Sequence, residues 1–223
     1  MKHKIVTALV AAALGAACVP AMAQFGKLGS LIGGGTGTSA ATDPDAFVAS
    51  ALAAEKLMNN SVTLLSRSLA SKEASAGLTA QRKAANEITD PAEKKAKLTE
   101  VQKSELALVN ESLSKASIDS EVKKMDDKQR SDLGSAAFNF MLALLQDKAL
   151  IDQGQGLISS MTTNPAALTK IGSIKNAVSS LSSQMSAASS IAGKMPAIFS
   201  AVGVKAPASK DEKPKAVAQV TEE

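Results

Sequence analysis

Apolar residues recur every three or four positions along most of the sequence, the spacing of one buried face on an α-helix. The first such stripe follows Asp43-Pro44, which sets a capping side chain before a proline at the first helical position. The same kind of start signal recurs at Asp90-Pro91 and Asn164-Pro165. The pattern predicts a long helix from Pro44 that fades near residues 73–77, and further long helices after the other two signals.

The densest apolar run of the chain outside its amino terminus lies within residues 126–161. Asp126 and Gln129 have the spacing of a capping box, which predicts a helix start there. Between Ala136 and Leu145 the only polar residue is Asn139. A helix that is apolar nearly all round belongs in a protein core or a membrane, and this run is too short to cross a bilayer, which takes about 20 residues. We therefore expect a central buried helix, in which Asn139 finds a polar partner or marks the least buried side.

Two glycines interrupt this central helix near its end. Gly154 and Gly156 each weaken a helix by about 1 kcal/mol relative to alanine. Apolar spacing nevertheless continues through Leu157 and Met161. The sequence predicts a continuous but bent helix, with Gly154 and Gly156 as a candidate hinge.

The last helical stretch has the most regular pattern, with steps that alternate between three and four as in a heptad seam. Serine and alanine flank the seam, and such small residues let neighbouring helices approach closely. Its first five positions are a candidate interaction seam for a protein partner or for self-association: Ile171, Ile174, Val178, Leu181 and Met185.

Strict alternation of apolar and polar residues is missing throughout, so no window predicts a strand. The stripes and their start signals favour an all-α fold, an elongated antiparallel bundle of about four long helices with flexible termini. The bundle is expected over residues 43–204. A Gly/Ser-rich flexible segment over residues 24–42 precedes it, and a Lys/Pro/Ala/Glu tail over residues 205–223 is expected to be disordered.

The amino terminus has the three parts of a secretory signal peptide, which we assign to residues 1–23. Lys2 and Lys4 form a short positive start, an Ala-rich apolar stretch follows, and Ala21-Met22-Ala23 is a small-x-small cleavage signal. The mature chain would begin at Gln24 in the periplasm or outside the cell, and a Gram-negative bacterium is expected. Cys18 lacks the leucine-like residue that lipid-anchor sites carry three positions earlier, which argues against a lipoprotein.

Cleavage at that site removes the only histidine and the only cysteine, His3 and Cys18. Zinc sites of the usual kind, cysteine nucleophiles and Ser-His-Asp triads are then excluded, and no cofactor motif is present. Loss of Lys2 and Lys4 also lowers the net charge from +4 to +2. Without a concentrated basic face or stacking aromatics, nucleic acid is not an expected partner. We predict no catalytic residue, no metal ligand and no cofactor.

Two weaker patterns leave enzymatic chemistry as a distant third hypothesis. Ser-x-x-Lys, a pair that can supply a nucleophile and a base, occurs at Ser112–Lys115 and Ser120–Lys123, but no companion motif supports it. Carboxylate pairs occur at Asp126/Asp127 and Asp147/Asp152, and helix-start or surface charge explains them more simply. The leading hypothesis is an exported, non-enzymatic helical protein that binds another envelope or secreted component. The alternative is a membrane-active or surface-associated protein, based on the Gly/Ala/Ser-rich stretches at residues 24–35 and 187–204.

Overall fold

The computed structural model describes residues 43–115, 117–162 and 168–217. These residues form helices without any strand, as the sequence predicts. In chain order the described helices are α1 (Pro44–Leu69), α2 (Lys72–Glu87), α3 (Pro91–Lys115), α4 (Ile118–Lys124), α5 (Asp127–Met161), α6 (Leu168–Ala192) and α7 (Met195–Val202). Their number exceeds the predicted four because α2, α4 and α7 are shorter helices between or beside the four long ones.

Local capping chemistry sets the helix starts. Asp43 accepts a hydrogen bond from the Asp45 amide at 2.9 Å and is followed by a proline in the first turn of α1. Asp90 accepts from the Glu93 amide at 2.7 Å at the start of α3. The predicted start at Asn164-Pro165 lies outside the described residues.

The central helix begins with the predicted capping box, in which each residue's side chain accepts from the other's amide. The distances are 2.7 Å from the Gln129 amide to Asp126 and 2.9 Å from the Asp126 amide to Gln129. The helix then runs unbroken to Met161 and is capped by Thr162. The predicted bounds and continuity of this helix are therefore confirmed.

One boundary differs from the sequence pattern. Helix α1 ends at Leu69, before residues 73–77, because Ser71 adopts an extended backbone and caps a new helix by accepting from the Ala74 amide at 3.3 Å. Helix α6 ends at Ala192, and Pro196 lies in the first turn of the separate helix α7, where a proline needs no amide donor.

Helix α5 is the centre of the packing and contacts α1, α6 and α7, while α1 also contacts α3 and α6. The buried apolar residues form two clusters. The first core joins the second half of α1 and the first half of α5 to α3, α4, the end of α6 and α7. The second core joins the first half of α1 and the second half of α5 to the first half of α6. Long helices that run through both cores hold them together.

After α7, Gly203 adopts the left-handed conformation at φ +69° and the chain leaves the helical path. We call residues 205–217 the tail. The tail was expected to be disordered, but two buried amides of α5, on Asn139 and Gln146, hold its main chain by hydrogen bonds. The composition of the tail predicts disorder. It contains no sign of these contacts, because they are made by a distant helix and to main-chain atoms. The predicted signal peptide (residues 1–23), residues 24–42 and residues 218–223 lie outside the described residues.

Candidate functional site

The candidate interaction seam faces the interior of the molecule. Ile171, Ile174 and Leu181 are buried in the second core, and Val178 and Met185 are partly buried against it. Their neighbours include Phe47 of α1 and Leu150 of α5. A partner would have to displace α1 or α5 to reach the seam, so this stretch is a packing surface in the described structure.

The two glycines of the candidate hinge have different surroundings within the unbroken helix α5. A side-chain carbon on Gly154 would lie 2.3 Å from a methyl of Val178 and 2.7 Å from the Phe47 ring. The same carbon on Gly156 would meet nothing within 4 Å. Gly154 therefore permits close contact of α5 with α1 and α6, whereas Gly156 has no packing partner.

The groups proposed for Ser/Lys or carboxylate chemistry are exposed or have structural partners. Ser120 and Lys123 are exposed, and no side-chain placement is described for Lys115. Asp126 caps α5, and Asp127 pairs with Arg130 at 2.6 Å. Asp152 is exposed, whereas Asp147 is fully buried, so the two carboxylates do not share a surface. Among the pairs whose two side chains the structure describes, none forms a nucleophile and base in a cleft.

Asp147 lies in a polar layer between the two cores. Gln184 of α6 donates to its Oδ2 at 3.2 Å, and among the described residues its Oδ1 has no hydrogen-bond partner. Burial raises the pKa of the Asp147 carboxyl to about 7; the Gln184 hydrogen bond opposes this rise and the charge of Glu55 adds to it. The pKa of the Asp147 carboxyl therefore lies near 7, and because the group is fully buried a ligand in solution does not reach it.

A second buried carboxylate, Glu105 of α3, has a full set of partners. Arg82 of α2 donates to it from Nε at 3.2 Å and from Nη2 at 2.6 Å, and Thr63 of α1 donates at 3.1 Å. In the sequence, Glu105 is visible as an interruption of the apolar stripe of α3, which predicts a half-covered face, but no local pattern indicates its pairing with Arg82. The contact joins three helices, and its satisfied geometry is that of a structural bridge.

The clearest recognition geometry is on α5, where Asn139 holds the main chain of the tail. Its Nδ2 donates to the Lys215 carbonyl at 2.9 Å, and its Oδ1 accepts from the Lys215 amide at 2.7 Å. Both polar ends of one buried side chain are therefore used on a single residue of a non-helical segment. Because the contacts are to main-chain atoms, they recognise an extended backbone, whatever side chain it carries.

Gln146 makes the second contact, seven residues along the same helix and so on the same face. Its Nε2 donates to the Lys210 carbonyl at 3.1 Å. The later tail residue meets the earlier helix residue, so the tail runs antiparallel to α5. Within the described structure Gln146 Oε1 is buried and has no hydrogen-bond partner. One of the two polar side-chain atoms of Gln146 thus has a hydrogen-bond partner, whereas both of those of Asn139 have one.

A third contact involves the Lys215 side chain. Its Nζ lies 4.5 Å from the centre of the Phe138 ring, within the range of a cation–π interaction. We call the surface formed by Phe138, Asn139 and Gln146 the amide face of α5. It offers one cation site and two main-chain contacts, so it fits an extended segment that carries a lysine.

The sequence pattern indicated only part of this site. It marked Asn139 as a polar residue that needed a partner, and Lys215 supplies that partner. Gln146 and Phe138 were not singled out. A usable signal was present, since two amide side chains seven residues apart, Asn139 and Gln146, fall on one face of the helix in and beside its apolar run at residues 136–145.

Comparison of the chain with protein-family models, with curated proteins and with solved structures found no match. Among the helices in the described ranges, none combines the length and the apolar character that a membrane crossing requires. The residues that the structure describes also include no group of three or more potential metal ligands.

Proposed function

We propose that this is an exported, non-enzymatic helical protein that binds another protein of the bacterial envelope or of the secreted fraction. The observation that carries the proposal is the double hydrogen bond between the Asn139 side chain and the main chain of Lys215. It supports a role in binding extended polypeptide, since the same two atoms serve any unpaired backbone residue. The predicted signal peptide supports export, and periplasmic location of a protein without a lipid anchor is part of the proposal.

The shape of the molecule belongs to the same proposal. We take the four long helices, α1, α3, α5 and α6, as an elongated antiparallel bundle that presents the amide face along α5. Their lengths of 25 to 35 residues correspond to roughly 40–50 Å at about 1.5 Å per residue. The two amides of the amide face lie about 10 Å apart along α5, a span that suits a short extended segment of a partner.

Two measurements test this function. Cell fractionation with amino-terminal sequencing should recover a chain that begins at Gln24 outside the cytoplasm. The mature chain, immobilised and exposed to envelope extract and to culture fluid, should retain a stoichiometric protein that Asn139→Leu fails to retain. Cytoplasmic recovery of an uncleaved chain, or absence of any stoichiometric partner together with a monomeric chain, would refute the proposal.

A membrane-surface role is the second candidate, favoured by a groove of 480 Å³ on α1 and α2. Three cationic residues, Arg67, Lys72 and Lys83, line it together with Ser75 and Thr79. The stretch at residues 187–204 lends it less support than its composition indicates, because Ile191, Met195 and Ile198 are buried in the first core. Flotation with phosphatidylglycerol vesicles tests it: binding that Lys72→Glu and Lys83→Glu abolish would favour this role, and absence of flotation would remove it.

A further inference from the structure

The tail leaves Gln146 Oε1 of the amide face without a hydrogen bond from the described residues, and the spacing of the two amides explains this. Asn139 and Gln146 are seven residues apart, so they lie about 10 Å apart along the helix axis at about 1.5 Å per residue. A polyproline-II segment rises about 3.1 Å per residue and repeats every three residues. Residues i and i−3 of such a segment would therefore face Asn139 and Gln146 from the same side.

The tail reaches the two amides with a different spacing. Asn139 binds Lys215, but Gln146 binds Lys210, five residues earlier. The extra length is taken up by a turn, in which Glu212 accepts hydrogen bonds from the amides of Ala208 and Ser209. Because of this turn, Gln146 receives a carbonyl but no amide, and its Oε1 is left without a partner in the described structure.

The residue bound at Asn139 has two favourable features of its own. Pro214 precedes it, and its ring fixes its own φ near the polyproline-II value and favours extended backbone at Lys213. The Lys215 side chain reaches the Phe138 ring. The neighbouring Lys213 is exposed, and its side chain makes no hydrogen bond or ion pair with the residues that the structure describes. A cation is therefore preferred at one position of the bound segment, the residue whose main chain is hydrogen-bonded to Asn139.

We propose that the amide face of α5 is a binding site for an extended Pro-Lys segment of a partner protein, and that the chain's own tail is an intramolecular competitor for it. This inference rests on the proposed function and specifies its ligand. A partner segment without the turn presents an amide to Gln146 Oε1 as well as a carbonyl to Nε2. It thereby makes one hydrogen bond more than the tail does.

The competitor must be weakened before the site can be measured, because a tethered segment acts at an effective concentration in the millimolar range. Lys215→Pro in the full mature chain removes the amide that Asn139 accepts from and the cation that Phe138 receives, and leaves the amide face unchanged. Lys213→Ala is the matched control, since it also removes one tail lysine but no contact. Both chains are titrated with a labelled peptide of residues 205–217 and followed by fluorescence anisotropy.

We expect the Lys215→Pro chain to bind this peptide at least tenfold more tightly than the unmodified and Lys213→Ala chains do. Adding Asn139→Leu, or the nearly isosteric Asn139→Asp, should abolish the gain, with circular dichroism confirming that the helices remain. A peptide with alanine in place of Lys215 should bind roughly three- to fivefold more weakly, the loss expected for one cation–π contact. A peptide with alanine in place of Glu212, which frees the turn, should bind more tightly than the natural one.

Absence of binding to the Lys215→Pro chain at millimolar peptide would overturn the proposal, as would binding that neither Asn139 variant changes. Concentration-dependent dimerisation of the unmodified chain that Asn139→Leu abolishes would show that the natural occupant is the tail of a second copy. That result would overturn the assignment to a foreign partner. The peptide titration uses only this chain, so a failed ligand assignment is distinguishable from failure to capture a partner from envelope extract.

Discussion

Single residues in this protein have roles that depend on what surrounds them. Asp147 and Glu105 are both buried carboxylates, yet Glu105 accepts three hydrogen bonds while Asp147 accepts one from Gln184. Gly154 and Gly156 are two residues apart on one helix, yet only Gly154 is packed against other side chains. In each pair the two residues are of the same kind, so only their surroundings explain the difference. Each difference can be measured.

The stability of the fold should decrease as the pH rises from about 4 to about 7, because of Asp147. Its pKa is about 7 when folded and near its ordinary value when unfolded, so the unfolded chain binds fewer protons in this interval. The decrease in the free energy of unfolding approaches about 4 kcal/mol at most, since each unit of pKa difference is worth about 1.4 kcal/mol. Urea unfolding of the unmodified chain and of Asp147→Asn between pH 4 and 8 measures it.

Asp147→Asn should flatten this pH dependence and should be the more stable chain above pH 7. Asp152→Asn, an exposed carboxylate on the same helix, is the control and should leave the slope unchanged. Equal slopes for the unmodified and Asp147→Asn chains would mean that other groups govern the pH dependence.

Gly154→Ala should lower the free energy of unfolding by about 1–3 kcal/mol, the usual cost of adding a methyl group to a packed interior. Gly156→Ala should raise it by up to about 1 kcal/mol, because alanine favours the helix and its methyl meets nothing. Thermal and urea denaturation of the two variants measure the difference. Equal stabilisation by both would indicate that α5 separates from Phe47 and Val178 in solution, as a hinge would require.

At the scale of helices, the positions where helices start could be predicted from the sequence, but the side-chain contacts between helices could not. Asp43, Asp90 and Asp126 act within a few residues of themselves, so their roles can be derived from the local sequence. Glu105 interrupts the apolar stripe of α3 and suggested a half-covered face; its partner Arg82 lies on α2, 23 residues earlier. No local pattern contains that pairing, and it decides how α2 attaches to the bundle.

Arg82→Met should therefore loosen α2 and destabilise the fold by about 3 kcal/mol, the cost of leaving a buried charge without its partner. Lys83→Met is the matched control, because Lys83 is the adjacent cation and is exposed. Hydrogen exchange with mass spectrometry should show faster exchange over residues 72–87 in Arg82→Met alone. Unchanged exchange there would assign the attachment of α2 to Leu78 and Ala85, its buried apolar residues.

At the scale of the whole molecule, sequence periodicity predicts which surfaces are buried but does not determine which segment covers them. The all-α class and the central position of α5 follow from the spacing of apolar residues. The tail does not, because it has no helical stripe and its partner Asn139 is 76 residues away. The candidate seam shows the same limit, since its pattern is equally compatible with a partner protein and with α1 and α5 of the same chain.

Asn139→Leu should release the tail without unfolding the bundle. We expect faster cleavage by a lysine-specific protease at Lys210 and Lys215, while cleavage within α3 and α5 stays slow. Gln155→Leu, at an exposed position of the same helix, should leave the tail as protected as in the unmodified chain. Equal cleavage rates in all three chains would show that the contacts of Asn139 do not hold the tail.

The polar layer between the two cores has a consequence for how the helices align. A heptad seam flanked by small residues packs almost equally well after a shift of seven residues, since apolar positions replace one another. Such a shift of α6 would bring Ala177 or Ile191, in place of Gln184, against Asp147 and would leave both carboxylate oxygens without a hydrogen bond. A buried polar group without partners costs about 1–3 kcal/mol or more, so only one alignment satisfies it. The carboxyl that weakens the fold above pH 7 thus selects a single register in a sequence that would otherwise permit several.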